Sequence, residues 1–157
     1  MSLQLNFMNG EYFNSDSDGT IEVYSPIDGR KIAQVPNSCN KDVDRAVNFS
    51  KTAFLSWGIL TDKVRNSKLA ILCKLMEENR EELAQIMVLE SGKNLDEAQA
   101  DLQSAIDLIE WTSTLRYLSN NKQNQLGSGM ICLEKRKPLG IIAVIAPFSS
   151  PAMVPMW

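Results

Sequence analysis

Lys137–Trp157 reads KPLGIIAVIAPFSSPAMVPMW. Its centre, Ile141-Ile142-Ala143-Val144-Ile145-Ala146, is unbroken apolar sequence, with Pro138 and Gly140 before it and Pro147 and Pro151 after it. Such a run between turn residues predicts a strand buried on both faces, as in a parallel sheet covered by helices. A buried parallel strand needs partners, because its backbone donors and acceptors must be paired. No second run of this kind closes a βαβ unit, and AMVPMW ends on Met156 and Trp157 without a C-cap signal. The expectation is the N-terminal part of a larger α/β protein. A complete small domain is the other reading.

Upstream, from Asn40 to about Ser119, apolar residues fall at helical spacing. Val43, Ala46, Val47, Ala53, Phe54 and Trp57 share one stripe behind a candidate N-cap at Asn40. Gly58 interrupts it, and Thr61 opens a second helix carrying Val64, Leu69, Leu72, Leu75 and Met76. EELAQIMVLE forms a third, stopped by Ser91-Gly92-Lys93-Asn94. A fourth runs from Leu95 through Ala98, Leu102, Ala105, Ile106 and Ile109. Its other face, Asp96, Glu97, Gln99, Asp101, Gln103 and Asp107, reads as acidic and solvated.

Before these helices lie short strands and turns. Asn9-Gly10 in FMNGEY is a two-residue hairpin signal, because both turn positions need positive φ. TIEVYS and KIAQVP alternate apolar with polar around a Pro26-Ile27-Asp28-Gly29 turn. After the helices, NNKQNQLGSG reads as a polar loop. Gly127-Ser128-Gly129 has no helix behind it, so a permissive backbone at a hairpin is preferred to a phosphate loop. Met130 to Lys135 is strand-like.

Composition removes several function classes. The 157 residues carry 16 basic and 19 acidic side chains, net −3, which argues against a nucleic-acid binder held by a basic face. Histidine is absent, which excludes Ser-His-Asp and Cys-His activation and any imidazole-based zinc site. The three cysteines, Cys39, Cys73 and Cys132, include no CxxC pair; they fit neither a disulfide framework nor a four-thiolate metal site. Reduced thiols, no signal-peptide pattern and no long apolar span predict a cytoplasmic or organelle-matrix protein, with cytoplasm preferred and no membrane partner.

The order of the segments resembles the N-terminal third of the aldehyde dehydrogenase superfamily. The residues carrying the resemblance are YSPIDGRKIAQVP (24–36), DVDRAVNFSKTAFLSW (42–57), ENREELAQIMVLESGKNLDEAQADLQSAIDLIEW (78–111) and KPLGIIAVIAPFSSPAMVPMW (137–157). The last block looks most like the CoA-acylating methylmalonate-semialdehyde dehydrogenase branch. The resemblance implies N-terminal strands and turns over 1–36 and a helical part of the cofactor-binding domain over 37–120. A loop and strand over 121–137 would resemble the oligomerisation arm. Residues 138–157 would hold the first buried strand and a truncated helix of a Rossmann-like parallel sheet.

It also implies NAD as cofactor, an aldehyde or semialdehyde as substrate, a cysteine thioester as intermediate, coenzyme A as a candidate acyl acceptor, and a homo-oligomer. Ala146, Pro147, Phe148 and Ser149, at the carboxyl end of the expected strand, take the place of family residues that line the cofactor. Pro147 cannot donate and shapes the loop, and Phe148 supplies an apolar wall. Ser149 stands where the family has an asparagine that helps hold the oxyanion, and Ser150 where an aromatic is usual. The shorter serine would not reach the same point, and losing one such donor costs about 10²–10³ in rate.

The family's nucleophilic cysteine, glutamate base and glycine-bearing cofactor loop would all lie beyond Trp157. The chain alone would then be inactive, with no catalytic residue of its own. A non-catalytic interaction module, or a degenerate relative that associates with full-length subunits, is the alternative.

Other candidates read as structural. Cys39 sits at a helix start, where a thiolate is favoured, with no base nearby. Cys73 and Cys132 read as packing. Glu90 and Lys93 read as supporting a helix end. Glu77–Glu82 reads as a solvated face, Glu134–Lys137 as an exposed strand end, and Phe54, Trp57 and Trp111 as core or interface aromatics. No metal site is expected.

Overall fold

The computed structural model describes residues 3–115, 122–127 and 129–157. Strands β1 (Asn6–Met8) and β2 (Glu11–Phe13) pair antiparallel. Asn9 and Gly10 between them have φ of 54° and 83°, the positive pair a two-residue turn needs. Strands β3 (Thr20–Tyr24) and β4 (Lys31–Pro36) form a second hairpin. Its turn closes through Gly29 N–H to Ser25 O and Ser25 N–H to Arg30 O, both 2.9 Å.

Helix α1 (Asn40–Trp57) is tied to the strand region by Asp42, a buried carboxylate. Asp42 accepts from Ser15 Oγ at 2.6 Å, Cys39 N at 2.8 Å and Asp16 N at 3.0 Å. Cys39 is therefore the N-cap, and Asn40, expected there, is the first helical residue. The expected apolar stripe of α1 is only half realised: Ala46, Val47 and Phe54 are half-buried, while Val43 and Trp57 are exposed.

The core is built by α2 (Asp62–Glu78), α3 (Arg80–Ser91) and α4 (Leu95–Thr114). In α4, Ala98, Leu102, Ala105, Ile106 and Ile109 are all buried, as their spacing predicts. Asn94 caps the helix by accepting from Glu97 N at 2.8 Å, and acidic residues in the first turn suit the helix dipole. One cluster packs Cys73 and Met76 of α2 against Leu102, Ala105, Ile106 and Ile109; a second packs Ala84 and Met87 of α3 against Ala98. Val64 and Leu75, expected on the inner side of α2, are exposed.

Asn66 Nδ2 donates to Ser113 O at 2.5 Å, joining α2 to the end of α4. Helix α3 stops at Gly92, whose φ of 73° is the left-handed conformation glycine tolerates. A Cβ there would meet Pro26 Cγ at 3.0 Å, so this stop also seats the β3–β4 turn.

Strands β5 (Lys122–Leu126) and β6 (Met130–Glu134) form a third antiparallel hairpin. Lys122–Leu126 was expected as polar loop, but it pairs along its whole length with β6. Gly127 and Gly129, at φ 64° and 88°, serve the hairpin turn; Ser128, and the segment 116–121, lie outside the described residues. Every residue of β6 is exposed, so Cys132 is on the surface rather than packed.

Residues 137–147 differ most from expectation. They belong to no ladder, and Leu139, Ile142, Val144 and Ile145 are exposed, Ile145 at 98%. The physical reason is the absence, among the described residues, of any strand paired with this segment. Its backbone groups and both apolar faces therefore stay open. The short helix α5 (Met153–Met156) follows and packs on α4.

Candidate functional site

The expected cofactor-lining residues are four consecutive positions where extended chain becomes helix. Ala146 and Pro147 end the segment without a ladder, and Phe148 and Ser149 form the turn. All four are exposed, Phe148 at 86%.

The anchor of the turn lies behind it. Val154 N–H donates to Ser150 O at 3.2 Å, starting α5. Ala152 packs on both core clusters and Met153 on the larger one. Ala152 N–H donates to Asp101 Oδ2 at 3.3 Å, and Asp101 pairs with Lys93 Nζ at 4.0 Å. The Asp101 side chain is only 8% exposed, although sequence reasoning placed it on the solvated face of α4. The signal was present: Asp101 stands three residues after Ala98 and four before Ala105, on the flank of the buried stripe. Lys93, read as supporting a helix end, pairs instead with this carboxylate inside α4.

The remaining candidates do not converge on the turn. Cys39 is half-buried at the start of α1. Cys73 is buried, with Sγ 3.8 Å from Ile106 O, and burial, aided by the charge of Glu110, raises its thiol above the usual range. Cys132 is exposed on β6. In the acidic run, Glu77 holds Arg80, whose Nη2 donates to Gln103 Oε1 at 2.5 Å, so part of that face ties α3 to α4. Arg136 pairs with Glu134 at 3.3 Å at the exposed strand end. Trp57 and Trp111 are exposed. A cleft of about 620 Å³ runs between Phe54, Trp57, Arg65 and the stretch Arg136–Pro138, apart from the turn. Among the described residues no group of three metal-ligating side chains comes together, and no helix is long and apolar enough to cross a membrane.

The model of the aldehyde dehydrogenase family matches residues 12–157. Malonate-semialdehyde dehydrogenase 1 of Bacillus thuringiensis (strain Al Hakam) is 36% identical over 153 residues, which are 97% of this chain and 32% of that protein. Malonate-semialdehyde dehydrogenase of Halalkalibacterium halodurans is 38% identical over 157 residues, again 97% of this chain and 32% of the relative. Among solved structures, a Sinorhizobium meliloti protein described as a methylmalonate-semialdehyde dehydrogenase, in complex with NAD, superposes with a TM-score of 0.91 at 27% identity. That match covers 96% of this chain and 31% of the other. The chain thus spans about a third of the length of the curated relatives it matches.

Proposed function

Because the chain belongs to the aldehyde dehydrogenase family, we propose that it forms the N-terminal part of the cofactor-binding region of an NAD-dependent dehydrogenase acting on a small semialdehyde. The observation that carries this reading is the exposed turn Ala146–Ser149, held from behind by the helical core, in a chain that superposes on an NAD-bound relative. The turn fits such a ligand: Phe148 offers an uncovered ring face, and Pro147 keeps a backbone donor out of that wall. Ala146, Pro147, Phe148 and Ser149 would line the cofactor. NAD, when bound, supplies the hydride acceptor.

The nucleophile is a cysteine other than the three in this chain. Cys73 is buried, and neither Cys39 nor Cys132 lies on the turn. In the reaction proposed, that cysteine's thiolate adds to the aldehyde carbon, loss of hydride leaves a thioester, and the thiol of coenzyme A takes the acyl group. Malonate or methylmalonate semialdehyde is the favoured substrate class, from the relatives in hand. Cytoplasmic location and a homo-oligomer that uses the β5–β6 hairpin as its arm complete the reading.

The test compares the 157-residue chain with the native polypeptide from its own source. The chain alone, given NAD, coenzyme A and semialdehyde, should form no NADH above blank. The native polypeptide should form NADH and an acyl-CoA together; NADH formation independent of coenzyme A would overturn the acyl-transfer step.

A second reading is a non-catalytic module that pairs with full-length subunits. The fully exposed apolar strand β6 favours it. A native species of 17.5 kDa with a cooperative melt and a captured full-length subunit would support it over the first.

A further inference from the structure

We draw no further inference here: the strongest candidate, the cleft between Phe54 and Trp57 of α1, Arg65 of α2 and the stretch Arg136–Pro138, has a wall that leads into the apolar segment, and nothing in the structure shows what covers it in a polypeptide of which this chain spans about a third of the relatives' length.

Discussion

Replacing Leu102 by alanine should cost this fold more than any single truncation on its surface. Leu102 is 1% exposed and lies in the cluster formed with Cys73, Met76, Ala105, Ile106 and Ile109. Leu-to-Ala changes in well-packed cores cost about 2.7–5.0 kcal/mol, the larger values where the hole cannot refill. Met76 belongs to this cluster and Met153 packs against it, and unbranched methionine side chains can close part of a void. That places the cost in the lower half of the range, about 3 kcal/mol.

For a domain of this size each kcal/mol moves the melting temperature by about 2–4 °C, so the midpoint should fall by roughly 6–12 °C. The control is Leu55→Ala on α1, where the side chain is 73% exposed and the change should stay within about 0.5 kcal/mol. Urea and thermal melts followed by circular dichroism measure both. A loss below about 1 kcal/mol for Leu102→Ala, or equal losses for the two variants, would show that α4 does not carry the core and would sink the packing argument.

Three further outcomes are expected. Hydrogen bonds from Ser15 Oγ and from the backbone N–H groups of Cys39 and Asp16 hold the Asp42 carboxyl well below its usual range. Because the folded value is the lower one, this stabilisation is complete above the unfolded carboxylate pKa of about 4 and is lost as pH falls through the folded value. Asp42→Asn should melt lower at neutral pH and show a flatter acid limb; parallel acid limbs would refute the assignment. Gly92→Ala should cost about 1–2 kcal/mol from the left-handed backbone. Its Cβ would also meet Pro26 Cγ at 3.0 Å, so it should cost more than Gly10→Ala, where the space is open. In the native polypeptide, Ser149→Asn should raise kcat by about 10²–10³ if that position faces the oxyanion, and an unchanged kcat would remove it from the hole.

Much of the fold was legible where the signal is local. Asn9-Gly10, the Pro26–Gly29 turn, the stop at Gly92 and the α4 stripe each express a short-range preference, and each stands where its spacing puts it. What failed depends on partners. Ile141–Ala146 has the composition of a buried strand, yet burial comes from neighbouring strands that no residue within the segment can supply. The α1 stripe is half realised for the same reason, with Val43 and Trp57 left exposed. The four residues of the candidate site rest on resemblance alone, because Ala146, Pro147, Phe148 and Ser149 have no chemistry that marks them out individually. Asp101 was missed for a different reason: reading α4 as two faces put Asp96, Glu97, Asp101 and Asp107 together on the outer one. Its position beside Ala98 and Ala105 puts it at the boundary, where a carboxylate can reach across to another element.

That boundary position explains how a turn with little structure of its own can be placed. Ala152 touches both core clusters, so whatever sets the packing of α3 and α4 also bears on the start of α5. Asp101 adds direction to that contact, and Lys93 makes the direction depend on the corner at Gly92. The start of α5 is thus carried by the helical unit. Changes at the α3–α4 corner should therefore reach the turn, whereas changes on the exposed faces of α1 or β6 should not.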